Sequence, residues 1–387
     1  MPLLHKIAGV VVVCAVILGL TLPGERGRSG SEGAAAHAGA ASRATSVPPP
    51  TATGAPDGGG SAKPSTAAPT PSATPSASAS ASASAPATLP QAAAAAASAK
   101  ANELGEVPVL MYHRIMKKAE LSLDRSTKEF REELERLAGA GYVPITAAEF
   151  VGGRFDVPAG RHPVVLTFDD STPGHFGLDE RGAPKPDTAV AIIQEVAQRH
   201  PGFRPVATFY LNEDLFGLGD RAAAGLKWLT DHGYEIANHT ETHQDLSRMS
   251  KKQVQREIGG IEDKIVSLTG RHTATFAYPF GAIPDKRAWA QRQEGRYDFQ
   301  GVFLAGWKPS QSPFDKDFDR FAITRVRSEG KIKENECTKF CSTAWLDRLD
   351  KHPGERYTSD GDPETITIPQ AAEKRLAKEF RARARVY

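Results

Sequence analysis

The sequence predicts an α/β fold of about seven parallel strands, and three observations carry that expectation. Short apolar, β-branched runs recur from Val107 onward, amphipathic helices separate the early ones, and polar residues gather where the runs end. The runs are Val107–His113, Pro163–Asp170, Val206–Leu211, Glu235–Thr240, Thr273–Phe280, Gly301–Gly306 and Phe321–Arg327. Between them Phe130, Leu134 and Leu137 share one helical face, as do Ala189, Ile192, Ile193, Val196 and Ala197, and as do Val254, Ile258, Ile261, Ile265 and Leu268. Strands alternating with helices imply parallel pairing through right-handed crossovers. Seven such units could close into a barrel or stay an open doubly wound sheet. In both, ligands bind at the carboxyl ends of the strands.

Only part of the 387 residues is expected to fold this way. Lys6 precedes an uncharged apolar run, Ile7 to Leu22, followed by Glu25, Arg26 and Arg28, so residues 1–24 read as a signal peptide or a membrane anchor. Residues 25–103 read as a disordered linker: from 31 to 100 they are almost wholly Ala, Ser, Thr, Pro and Gly, with Glu32, Arg43, Asp57, Lys63 and Lys100 the only charges. Such a stretch buries too little apolar surface to offset its ordering entropy. A Pro-rich tether behind an export segment suits a domain displayed outside the cell or within its wall, which makes the wall a candidate substrate. Residues 104–350 are expected to form one domain and 351–387 a C-terminal extension of open role. A net charge of +2, with no basic run interleaved with aromatics, argues against nucleic acid as a partner. In an exported chain Cys337 and Cys341 are expected to close a small disulfide, because without further Cys or His neighbours they make a poor metal site.

The strand ends hold the chemistry. Val164–Phe168 runs straight into Asp169 and Asp170, whose side chains leave in different directions, so that one carboxylate can hold a cation while the other accepts a proton. The plain alternative is a turn or a helix cap. The run ending at Asn238 continues into His239-Thr240-Glu241-Thr242-His243, and histidines four apart meet if the segment turns helically. Asp170, His239 and His243 would then form a three-ligand site for a divalent metal with a position left for water, the arrangement of catalytic rather than structural sites. Tyr278-Pro279-Phe280-Gly281 fixes a tight loop that could turn a backbone N–H toward an oxyanion, or is simply the strand's turn.

Three of these segments, Thr167-Phe168-Asp169-Asp170, His239-Thr240-Glu241-Thr242-His243 and Tyr278-Pro279-Phe280-Gly281, taken in this order, resemble the polysaccharide deacetylases of carbohydrate esterase family 4, with their chitooligosaccharide-deacetylase homology domain. The resemblance spans about Val107 to Arg327, and the opening Val107–Arg114 looks like the branch of poly-N-acetylglucosamine deacetylases. It implies a distorted (β/α) barrel and metal-dependent N-deacetylation of an N-acetylglucosamine-containing polysaccharide by a monomer. It also implies Asp169 as catalytic base and Asp170, His239 and His243 as ligands of a divalent metal, zinc first, with Co²⁺ or Ni²⁺ as alternatives.

The sequence departs from the family pattern twice. After Phe280 the one histidine is His352, in the loop-like Lys351–Gly354, which fits the usual late-strand acid poorly. In the resembled branch the histidine ending the first strand, matched here by His113, can protonate the leaving amine, and His113 is the expected acid. Where the family often has an arginine that orients the base, this chain has Ala277; Arg325 could supply that guanidinium from another strand end, or be an ordinary loop charge. Trp307 could line a sugar-stacking wall or be a core aromatic. Two other classes fit less well: a noncatalytic carbohydrate-binding domain, although the base and all three ligands are present, and an amidase using the same metal site on another C–N bond.

Overall fold

The structure, a computed structural model, describes residues 100–330, 332 and 337–387. The signal or anchor segment, and the linker up to residue 99, lie outside the described residues. Eight strands form one sheet, all parallel: β1 (Val109–Tyr112), β2 (Tyr142–Ile145), β3 (His162–Phe168), β4 (Thr208–Leu211), β5 (Glu235–Asn238), β6 (Thr275–Ala277), β7 (Gly301–Phe303) and β8 (Val326–Arg327). The order is β7-β6-β5-β4-β3-β1-β8, and β2 pairs with the first half of β3 while β4 pairs with its second half.

Helices α1 (Thr127–Gly139), α2 (Ala147–Gly152), α3 (Ala189–Arg199), α4 (Ala222–Asp231) and α5 (Lys251–Thr269) make the crossovers, and α6 (Ser342–Lys351) follows β8. Their starts are written locally. Ser126 with Glu129, Thr146 with Glu149 and Ser250 with Gln253 form reciprocal capping boxes that satisfy the first free N–H groups of α1, α2 and α5.

Strand alternation sorts the side chains. Leu110, Tyr112, Val164, Leu166, Phe168, Phe209, Leu211 and Ile236 pack on the helices, with Leu134, Ile193, Leu226 and Ile261 among their partners. The intervening residues Val109, Val165, Tyr210, Ala237, Ala277 and Phe303 belong to a second core on the opposite face. Continuing that second set one step past each strand places His113, Asp169 and His239 on the same face as Val109, Val165 and Ala237. A half-buried carboxylate, Glu235, anchors the other end of this face, accepting from the Ala148 N–H (2.8 Å) and the Thr208 (2.8 Å) and Thr275 (2.6 Å) hydroxyls.

The sheet curls until its edges meet. Ile323 bridges to Phe303 of β7, and Val326 and Arg327 pair with Leu110 and Met111 of β1, so one segment touches both edges and closes a distorted barrel of seven staves. That closes the choice between barrel and open sheet. Two expectations change. The last strand, expected unbroken over Phe321–Arg327, is a single bridge at Ile323 and a two-residue strand, with Arg325 between them. The short β2, with Pro144 in its middle, was absent from the expected set because it pairs with only half of one neighbour.

The residues after 350 pack into the second core, where Tyr357, Ile366 and Ile368 lie beside Val107 and Phe155. A short parallel pair, β9 (Ile366–Ile368) with β10 (Ala384–Val386), completes this end. Cys337 and Cys341 are joined by a disulfide just before α6.

Candidate active site

At the carboxyl end of β3 the backbone leaves ordinary space. Asp170 (φ 73°) and Ser171 (φ 43°) after β3, Thr240 (φ 66°) and His243 (φ 53°) after β5, and Phe280 (φ 57°) after β6 are all left-handed. These are five of the nine non-glycine residues with positive φ among the described residues, so backbone strain is concentrated at the carboxyl ends of three strands of one sheet, β3, β5 and β6.

That backbone turns Asp169 and Asp170 apart, as their adjacency suggested. Asp169 is buried and gripped by Arg325 in a two-pronged pair, Nη1 to Oδ1 at 2.6 Å and Nη2 to Oδ2 at 2.7 Å. Arg325, itself fully buried, also donates from Nε to the Leu304 carbonyl (2.8 Å) and from Nη1 to the Thr167 hydroxyl (3.2 Å), and its guanidinium lies over the Tyr210 ring at 5.4 Å. Such a fork fixes a carboxylate in the plane of the guanidinium. Burial alone would push the Asp169 carboxyl up, but Arg325, then His239 and His113, outweigh it and hold the group below its ordinary range. Asp169 is therefore ionised at neutral pH.

Asp170 faces the histidines. Its Oδ1 lies 3.5 Å from His239 Nε2 and 3.2 Å from His243 Nε2, and the three donor atoms fall within 4.8 Å of one another. His239 Nδ1 is bonded to the Ala277 carbonyl at 2.8 Å, which assigns the proton to Nδ1 and leaves the Nε2 lone pair facing Asp170. The histidines do not share a helical turn, as their spacing had suggested. Left-handed residues at Thr240 and His243 fold the segment back, and the rings end 5.0 Å apart.

The cluster fits a divalent cation. One carboxylate oxygen and two imidazole nitrogens converge, Asp170 Oδ1 is buried with no hydrogen-bond partner, and one histidine is already oriented by a carbonyl. Burial disfavours the charged form of His239, but Asp169 and Asp170 outweigh it and raise its pKa; burial, then His239, lower that of His243. The two carboxylates thus favour positive charge at His239 but do not outweigh burial at His243.

The remaining candidates separate. His113 directly follows β1, its Nδ1 buried without a partner; burial lowers its pKa while Asp169 and Asp170 pull the other way. Phe280 is 68% exposed and stands edge-on to His243 at 4.6 Å. Pro279 is buried in the turn beneath it. Tyr278, expected beside the substrate, instead turns its ring outward against Phe276 (4.9 Å), and its N–H is taken by the Phe303 carbonyl (3.0 Å). Strand alternation is the reason, since Tyr278 has the parity of Phe276 and not of Ala277. Trp307 is exposed, edge-on to Phe340 (5.7 Å) and under Lys308 (5.7 Å), and its carbonyl accepts from the Trp345 indole (2.8 Å). His352 is exposed at the end of α6. The sequence reading gave Thr167 no role beyond its motif and passed over Tyr210 and His175; the first two follow from the parity of Val165 and Ala237, whereas His175 carries no periodic signal.

The polysaccharide deacetylase family model matches residues 156–297. A Bacillus subtilis polysaccharide-deacetylase-like protein, YxkH, is 21% identical over 229 residues, covering 59% of this chain and 73% of its own length. The peptidoglycan-N-acetylglucosamine deacetylase of Bacillus cereus is 26% identical over 171 residues, covering 43% of this chain and 54% of its own. Among solved structures, the Streptococcus pyogenes deacetylase PplD, in complex with acetate, superposes with a TM-score of 0.48 at 19% identity, over 61% of this chain and 98% of that one.

Proposed function

We propose that this chain, which matches the polysaccharide deacetylase family over residues 156–297, hydrolyses N-acetyl groups from an N-acetylglucosamine-containing polysaccharide of the cell wall or surface, outside the cell, using a divalent metal. The observation that carries the reading is the pairing of roles on two adjacent residues: Asp169, ionised and held by Arg325, beside Asp170, whose free oxygen converges with His239 and His243. The similarity to a protein named for peptidoglycan-N-acetylglucosamine supports the substrate class, and the apolar segment and long tether support the location.

Asp170, His239 and His243 would hold the metal, zinc by this mixed nitrogen and oxygen donor set. A divalent ion there supplies Lewis acidity, lowering the pKa of a water and polarising an acyl oxygen. Asp169 takes the proton from the attacking water as its oxygen bonds to the acetyl carbon; with Arg325 occupying one side of both carboxylate oxygens, the remaining lone pairs stay aimed into the site. The backbone at Phe280, lifted into the left-handed region beside His243, offers an N–H for the oxyanion that develops. When the C–N bond breaks, His113 gives its proton to the sugar nitrogen, and acetate and a free amine leave.

The test is acetate release from chitooligosaccharides, poly-N-acetylglucosamine and purified peptidoglycan by the metal-loaded protein. Activity on at least one polymer, abolished together with metal retention in His239→Ala and His243→Ala, is expected. Full activity after thorough chelation would sink the metal reading, and no acetate from any polymer would sink the substrate.

A further inference from the structure

His175 is a histidine placed where packing alone would select an apolar residue. It is fully buried, its ring 5.2 Å from that of Phe168, 6.1 Å from Phe209 and 6.4 Å from Phe216, and its Nδ1 has no hydrogen-bond partner. Burying an imidazole among phenyl rings costs free energy that leucine would not incur. Its one side-chain hydrogen bond is from Nε2–H to the His113 carbonyl. The loop carrying it is clamped at both ends of that contact. The N–H groups of Ala189 and Val190, at the start of α3, bond the carbonyls of Gly174 (2.9 Å) and His175 (3.1 Å). Gly174 lies so close to the strand beyond His113 that a Cβ there would sit 2.0 Å from the Ile115 carbonyl oxygen. The segment that leaves Asp169 and Asp170 is thus locked to the segment that carries His113.

We propose that His175 is a positioning residue for the general acid: its bond to the His113 carbonyl fixes the end of β1 so that the His113 imidazole faces the base and the scissile nitrogen. The proposal rests on the reading of His113 as the acid. A positioned acid matters most when the leaving group must be protonated, so losing the bond should affect amide and activated-ester substrates unequally.

The experiment compares His175→Leu, which keeps the packing and removes the donor, with His175→Gln, whose amide reaches about as far as Nε2, and His175→Asn, which is too short. Each is assayed on chitooligosaccharide and on an aryl acetate, with metal retention and thermal stability measured alongside. His175→Leu is expected to hold metal and fold like the parent, to lose about 10- to 100-fold in kcat on the chitooligosaccharide, and to lose much less on the aryl ester. His175→Gln should recover most of the loss and His175→Asn should not. Undiminished turnover in His175→Leu, equal losses on both substrates, or a folded His175→Gln without recovery would overturn the proposal. If His175→Leu does not fold, the Gln and Asn pair decides in the same way. His113→Ala is run in parallel. If it shows the leaving-group dependence and the His175 variants do not, only the positioning role falls; if His113→Ala itself loses equally on both substrates, the acid assignment and the proposal fall together.

Discussion

Asp169 and Asp170 have the same side chain, one peptide apart, and their environments assign them different work. Both oxygens of Asp169 are held by a guanidinium, which keeps it charged and oriented, while Asp170 presents an unpartnered oxygen to two imidazoles. Asp169→Asn preserves shape and removes the proton acceptor. It should leave metal binding intact and cut turnover by about 10²–10⁴-fold, as measured by acetate release beside metal content; loss of the metal instead would mean that the two aspartates have exchanged roles. Ala277 belongs to the same account. With only a methyl group at that position it offers the base no donor, and Arg325 reaches Asp169 from the closing strand.

At the level of strands and loops, the catalytic side chains are placed by contacts between neighbouring strand ends. Gly306 follows β7 against the closing segment, where a Cβ would lie 2.5 Å from the Arg325 nitrogen and 2.6 Å from its carbonyl oxygen. Backbone cannot give way as a flexible side chain can, so Gly306→Ala should displace Arg325, lowering both thermal stability and kcat, the latter by about tenfold or more if Asp169 loses its guanidinium; an unchanged kcat would detach Arg325 from the chemistry. Much of this was legible in the sequence. Apolar runs ending in Asp-Asp and in His-x₃-His marked the carboxyl ends of β3 and β5, and the periodic helices implied parallel crossovers. What failed did so for local physical reasons. The spacing of His239 and His243 suggested a helical turn because sequence spacing does not reveal left-handed backbone. Tyr278 was assigned to the site by its motif although strand parity puts it with Phe276. Arg325 was named as a possible guanidinium for the base, with an ordinary loop charge as the alternative; its run looked like continuous strand, and the break between Ile323 and Val326 is what the sequence did not reveal. His175, a lone histidine in a loop, gave no signal of its pairing with His113.

For the whole molecule, buried titratable groups set the response to pH. Burial, with Arg356 adding to it for His162, holds His162 and His175 down at about 4. The unfolded chain protonates these histidines near 6.5, so between about 4 and 6.5 it binds more protons than the folded one and stability rises with pH. Burial, with Asp360 beside it, pushes Glu103 up from 4.5 to about 8, so the folded chain keeps a proton that the unfolded chain has released, and stability falls as pH climbs through that interval. Together the three groups place the maximum at about pH 6.5. Glu103→Gln should flatten the fall in melting temperature between pH 6.5 and 8.5 and steepen the rise between about pH 4.5 and 6.5 that Glu103 opposes, measured by calorimetry across the range; an unchanged alkaline limb would assign it to other groups. The closing segment has a consequence in time as well as in space. The pairing of Leu110 with Val326 joins residues more than 200 positions apart, and contacts of that range carry the greatest loop-closure cost and slow folding most. The guanidinium that grips Asp169 sits on that same stave, so the closure of the barrel and the seating of the base depend on one segment.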